Sequence, residues 1–180
     1  MEPLSVDAAR QRLLSLLPSL TPQPVALAVA EGLVLGADVV AGRDLPGFDN
    51  SAMDGFAVVA TDTAGASAAR PVRLRIAGES AAGRAGGAIV EPGAAVRIMT
   101  GAVLPEGADA VVEVELTSTE AGDVLVRQAV AAGRSVRPTG ADIRRGQVAM
   151  RAGTVLGPPQ LALLAGLGVV MPVCIPRPRV

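Results

Sequence analysis

Glycine and proline punctuate this 180-residue chain too often for long helices, with 21 glycines and 14 prolines spread along it. Glycine supplies the left-handed backbone of tight turns, and proline fixes φ and removes a donor, so this spacing selects short strands joined by turns. Half of the residues are hydrophobic and 18% are charged, enough apolar material for a buried core and too little charge for a disordered chain. The expected fold class is mainly β with a few helices, an α+β arrangement.

Local patterns fill in this outline. Ser5 is placed to cap a helix with Asp7 in its first turn, and Ala9, Leu13, Leu16, Leu17 and Leu20 follow at helical spacing. Pro18 should end that helix near Leu17, and its apolar stripe must dock elsewhere. Residues 25–41 predict a short helix and then a strand, because Gly32 and Gly36 break a longer helix and valines follow. From Arg70 to Arg137 short β-type runs alternate with glycine-rich turns. Val72, Leu74 and Ile76, and again Val96 and Ile98, predict a buried face, with Arg73, Arg75 and Arg97 on the other. Two further strands are expected around Gln147–Met150 and Thr154–Leu156. A helix then follows, with Pro158 and Pro159 at its start, Leu161, Leu163 and Leu164 on its body, and Gly168 near its end. Helices at both ends of a β-rich middle suggest that residues 46–139 are a barrel-like or sandwich-like insertion, and that 1–45 and 140–180 pair as one discontinuous domain.

Composition also removes chemistries. Every basic residue is an arginine, and the chain has no histidine, tryptophan or tyrosine. Imidazole bases, Schiff-base lysines and histidine metal sites are therefore excluded within the chain, leaving carboxylates and hydroxyls as acids, bases and ligands. Scattered arginines, a net charge of −1 and only two aromatics, Phe48 and Phe56, lack the basic patch and stacking platform of a nucleic-acid reader. The single cysteine, Cys174, lies in an apolar run and reads as a buried structural thiol. Acids in M-E-P-L-S-V-D do not suit a signal peptide, and the apolar run Leu161 to Ile175 is too short to span a bilayer, so a cytoplasmic location without membrane contact is expected.

Three polar stretches stand out. In P-G-F-D-N-S-A-M-D-G at 46–55, Asp49 and Asp54 flank Asn50 and Ser51, and a compact turn could converge their oxygens on a hard cation. The EF-hand pattern fails there, and an Asx-turn network in which Asp49 and Asn50 satisfy local backbone N–H groups is the reading that spacing favours. In R-I-M-T-G-A-V-L-P-E-G-A-D at 97–109, Thr100 and Gly101 either approach an anion or mark an ordinary strand-to-turn transition. In S-V-R-P-T-G-A-D-I-R-R-G at 135–146, Asp142 is either paired with a nearby arginine, the favoured reading, or directed at a metal. Glu113 and Glu115, two apart on an expected strand, read as a solvated face.

Together these stretches resemble the N-terminal domains I and II of the molybdopterin molybdotransferases, the MoeA/gephyrin E-domain family. The resemblance is carried by D-L-P-G-F-D-N-S-A-M-D-G-F-A-V at 44–58, A-G at 82–83 and R-I-M-T-G-A-V-L-P-E-G-A-D-A-V-V-E-V-E at 97–115. V-R-P-T-G-A-D-I at 136–143 and A-G-T-V-L-G-P-P-Q-L-A-L-L-A-G-L-G at 152–168 complete it. It implies insertion of molybdate into adenylyl-molybdopterin with release of AMP, in molybdenum cofactor biosynthesis, with Mg2+ or another divalent cation required. It further implies that Asp54, Thr100 and Asp142 line the catalytic cleft, that Asp54 and Asp142 hold the metal, and that Asp49, Asn50, Ser51, Gly55 and Gly101 bind substrate or cofactor. On chemistry, carboxylates suit a cation that bridges a pyrophosphate, and Thr100 suits a hydrogen bond to a phosphate or hydroxyl.

The family continues beyond P-R-P-R-V into a pterin- and molybdate-binding α/β domain and a small β domain, so the isolated chain is expected to be inactive. Ala141 stands where the family commonly has a glutamate, beside the retained Asp142. The family works as a homodimer whose cleft is shared between subunits, and the first domain contributes to that contact. The alternative function expected of this chain is a non-catalytic dimerisation or interaction scaffold.

Overall fold

The computed structural model describes residues 4–17, 20–83 and 87–178. In chain order the first elements are α1 (Val6–Leu16), β1 (Gln23–Pro24), β2 (Val34–Leu35), β3 (Val39–Val40), β4 (Asn50–Ser51), β5 (Gly55–Val58), β6 (Val72–Ser80) and β7 (Ala94–Ile98). They are followed by β8 (Ala110–Glu113), β9 (Thr117–Glu120), β10 (Asp123–Val126), β11 (Val136–Arg137), β12 (Val148–Met150), α2 (Pro158–Gly166) and β13 (Val173–Ile175). The fold is thus mostly short strands with two helices. Two compact units are formed: Met1–Gly42 with Gly146–Val180, and Arg43–Arg145.

In the discontinuous unit, β13 pairs antiparallel with both β1 and β2, and β12 pairs with β3. The core gathers Leu33, Leu35, Val39, Met150, Leu156, Leu164 and Cys174. Cys174 is fully buried, and that burial pushes its thiol pKa up, so it stays a protonated packing group. Helix α2 begins at the two prolines, with the Gly157 N–H donating to Gln160 Oε1, and it buries Leu164. The expected short helix after residue 25 is a single 3-10 turn, Leu27–Val29. The strand expected at Thr154–Leu156 is reduced to one bridge, Val155 with Val34, because the turn at Gly153 and the start of α2 at Pro158 leave no length for a ladder.

Helix α1 starts as the sequence predicts. Ser5 Oγ accepts from the Ala8 N–H at 3.2 Å, and the helix runs to Leu16 with Leu17 as its cap. Pro18 lies outside the described residues. The apolar stripe buries nothing here: Leu13, Leu14, Leu16 and Leu17 are all exposed.

The second unit is built on a six-stranded sheet in the order β8-β5-β7-β6-β10-β9, antiparallel except for β6 with β7. Both faces carry core. Phe56, Val58, Leu74, Ala95, Val112, Val124 and Val126 pack on one, and Ala57, Val96, Ile98 and Val111 on the other. This corrects the expectation that Arg97 shares a face with Arg73 and Arg75. Arg97 lies directly opposite Phe56 and therefore on the face of the first core, whereas Arg73 and Arg75 alternate with Leu74 on the reverse. A central strand buried on both sides gives no single solvent face for alternation to reveal.

Residues 43–45 and 140–145, assigned to the flanks from pattern, fall in this second unit. The bridge between Leu45 and Ile143 holds them there, supported by the Arg145 N–H donating to Asp44.

Candidate functional site

Strand β4 is only Asn50–Ser51, yet it joins all three polar stretches. On one side it pairs with β11, Ser51 opposite Val136 and Asn50 opposite Arg137. On the other, Asn50 bridges Val103, the Ser51 N–H donates to the Ala102 carbonyl at 3.0 Å, and the Gly101 N–H donates to the Ser51 carbonyl at 2.8 Å. Asn50 and Ser51 are buried. Their side chains close the turn locally: Asn50 Nδ2 donates to the Phe48 carbonyl, and Ser51 Oγ donates to the Met53 carbonyl at 2.5 Å and accepts from the Met53 N–H at 3.3 Å.

The two aspartates behave otherwise. Local Asx capping was expected for Asp49, but its Oδ1 accepts from the backbone N–H and hydroxyl of Thr139, at 2.7 and 2.8 Å, ninety residues away. Asp54 Oδ1 accepts in the same manner from the N–H and hydroxyl of Thr100, at 2.7 and 2.6 Å. Each aspartate is therefore clamped by a threonine that precedes a left-handed glycine, Gly140 or Gly101. Nothing stands within 4 Å of a Cβ built on Gly101, so its φ of +78°, and no lack of space, explains the glycine.

These bonds set the charge. The Thr139 backbone and side-chain bonds lower the Asp49 pKa, and the Thr100 hydroxyl and N–H lower that of Asp54, with Arg97 adding a smaller pull. Both carboxylates are thereby held below their ordinary range. Thr100 spends its one hydroxyl proton on Asp54, so its role is to orient and ionise that carboxylate, and it has no proton left for a phosphate. Asp142 is joined to Arg137 by a short ion pair, the structural pairing that the sequence favoured.

Gly55 is required by packing, because a Cβ there would lie 2.0 Å from the Val112 carbonyl oxygen on the adjacent strand. Next to it, Asp54 lines a cleft of about 340 Å3, together with Phe56 and Arg97 and with Thr117, Ser118 and Thr119 of β9. Asp142 lies outside its lining. Among the described residues, no group of three or more acids or thiols is placed to cage a metal.

Glu113 departs most from expectation. Together with Glu115 it was read as a solvated strand face, but β8 ends at Glu113 and Glu115 falls in a 3-10 turn. Glu113 is buried, and its Oε1 accepts from Arg134 Nε at 2.8 Å and Ser135 Oγ at 2.7 Å. Burial pushes its pKa up, but the bonds from Ser135 and Arg134 outweigh it and the carboxylate is held below its ordinary range. The sequence reading also missed Thr139 as a clamp and the Thr117–Ser118–Thr119 wall. The repeat of Thr-Gly at 100–101 and 139–140 was the available signal for the first.

The chain belongs to the family described as MoeA N-terminal region (domain I and II), which matches residues 4–168. It is similar to Molybdopterin molybdenumtransferase 2 of Mycobacterium tuberculosis, 46% identical over 159 residues that cover 88% of this chain and 39% of the relative. Molybdopterin molybdenumtransferase of Bacillus subtilis is 39% identical over 170 residues, 92% of this chain and 40% of the relative. The crystal structure of the molybdopterin biosynthesis moeA protein from Pyrococcus horikoshii OT3 superposes with a TM-score of 0.82 at 35% identity, over 92% of this chain and 45% of that one. The chain thus spans about 40% of the length of these curated relatives.

Proposed function

We propose that this chain supplies one wall of a molybdopterin molybdotransferase, which inserts molybdate into adenylyl-molybdopterin and releases AMP. The observation that carries the reading is the meeting of the three polar stretches on β4, with Asp54 clamped by Thr100 in the lining of a cleft. In this proposal Asp54, Thr100 and Asp142 are the catalytic residues, Asp54 acting from the cleft's lining, Thr100 positioning it, and Asp142, outside that lining, acting from the neighbouring 135–146 stretch. Asp49, Asn50, Ser51, Gly55 and Gly101 form the backbone and side-chain frame around substrate.

Magnesium fits this donor set in one form. Thr100 occupies Asp54 Oδ1 and leaves Oδ2 for a hard cation, and magnesium is commonly held by one or two carboxylates and the phosphates of its substrate. Asp54 would hold it, while Asp142 already carries the compensating charge of Arg137. A cation bound there supplies charge neutralisation at a phosphoanhydride. Thr100 fixes the carboxylate that meets it, the Asp49–Thr139 clamp fixes the start of the signature turn, and Arg137 directs Asp142. With no imidazole in the chain, proton transfer falls to water or to residues that other parts of the protein contribute. The 180-residue polypeptide assayed alone should give no turnover.

The whole protein works as a cytoplasmic homodimer in this proposal, with the discontinuous unit at the contact. The exposed leucines of α1 support that role, and they equally favour the second reading, a non-catalytic dimerisation or docking module. Complementation separates the two. This chain is mixed with the separately expressed remainder of the Mycobacterium tuberculosis relative, adenylyl-molybdopterin, molybdate and magnesium, and AMP release is followed for wild type and Asp54→Asn. Release that the substitution abolishes supports the transferase, whereas assembly with activity indifferent to Asp54 removes Asp54 from the site.

A further inference from the structure

Arg97 is the cleft residue for which the reading above has no use. Four arginines of its unit meet carboxylates: Arg73 with Glu120 and Asp123, Arg75 with Glu91, Arg134 with Glu113, and Arg137 with Asp142. Among the described residues Arg97 has no such partner, and it acts on Asp54 only through its field. Strand register explains why it points where it does: Arg97 is opposite Phe56, on the face of the first core, at the end of β7 where that face opens into the cleft.

The β9 wall offers a donor. Thr117 has spent its hydroxyl proton on the Val114 carbonyl at 2.8 Å. Ser118, opposite Leu125, alternates onto the reverse face, where its Oγ accepts from Arg127 at 3.1 Å, whereas Thr119, opposite Val124, shares the face of Arg97 and its hydroxyl has no partner among the described residues. An uncommitted guanidinium and a free hydroxyl on one face of a cleft of about 340 Å3 are an arrangement for an oxygen-rich anion. Asp54 in the same cleft opposes a bare polyanion and favours one that arrives with a cation.

We propose that the cleft binds a tetrahedral oxyanion, of phosphate or molybdate type, with Arg97 as its charged anchor and the Thr119 hydroxyl as a further donor. This rests on the transferase reading, whose substrates carry both kinds of oxyanion, and adds the residue that would grip one.

The test is calorimetric titration of the 180-residue chain with inorganic pyrophosphate, with and without magnesium, and separately with molybdate. At least one probe should bind the wild type, and Arg97→Gln should weaken it about tenfold to a hundredfold, the range for a charge-assisted hydrogen bond. Arg97→Lys should fall between, Thr119→Val should cost about three- to tenfold, and Ser118→Ala, on the reverse face, should leave binding unchanged. Pyrophosphate binding assigns the cleft to the phosphoanhydride end, and molybdate binding to the other. Failure of every probe, or equal binding by Arg97→Gln, overturns the proposal. The transferase reading fails separately: no AMP release from assembled wild-type halves, with Arg97→Gln still weakening a probe, would discard that reading and keep the subsite.

Discussion

Two threonines lower the pKa values of the aspartates in the signature turn, and this is measurable one atom at a time. Replacing Thr100 by Val keeps the shape and the N–H but removes the hydroxyl donor, so the Asp54 carboxyl should titrate nearer the ordinary range. Carbon-detected NMR of the aspartate carboxyls reads this directly, and an unchanged titration would mean the hydroxyl bond is not made in solution. For Asp49 the sign of the linkage follows from a depressed folded-state pKa. The stability that its clamp contributes is present above the unfolded carboxylate pKa and is lost as pH falls through the lower folded value. Thr139→Val should therefore melt below wild type at neutral pH, with the gap closing in acid. Gly55→Ala is expected to be severe, about 3 kcal/mol or more, because its Cβ would meet the Val112 carbonyl at 2.0 Å and backbone cannot step aside as a side chain can. A urea titration checks it.

At the scale of elements, β8 and the segment after it show what a linear reading reaches. The alternation of Val72, Leu74 and Ile76, the Ser5 cap and the Pro158–Pro159 start were legible because each depends on neighbours within a turn or a strand. Arg97 and Glu113 were misread because their surroundings are set by which strand pairs with which, and that is not written in spacing. The clamps were hidden for the same reason, since Asp49 and Thr139 lie ninety residues apart. The signature turn itself was legible as a unit, but its chemistry depended on partners that only the fold supplies. Glu113 offers an element-level test. It holds Arg134 and Ser135, and Ser135, at φ +52°, accepts the Ala52 N–H just beyond β4. Glu113→Ala should cost about 2 kcal/mol, discounted because Arg134 is half exposed, and should increase hydrogen exchange at Ala52 and along β11. Loss of stability without faster exchange there would place the effect in β8 alone.

For the molecule as a whole, α1 poses the remaining physical problem. A helix that exposes Leu13, Leu14, Leu16 and Leu17 together leaves apolar surface in water, and burying one such side chain is worth about 1.5–3 kcal/mol. The proposed homodimer resolves this if a second copy covers the stripe. The chain weighs 18.0 kDa, so light scattering distinguishes one copy from two without ambiguity. Concentration must be followed by refractive index, because the chain has no tryptophan or tyrosine to absorb at 280 nm. The expected mass is that of two chains at high concentration. Leu13→Ser with Leu16→Ser, on a helix that buries none of its residues in its own chain, should return it to one without lowering the urea midpoint of either unit. A wild-type mass of one chain at every concentration would remove α1 from the dimer contact, and with it the main support for placing the discontinuous unit there.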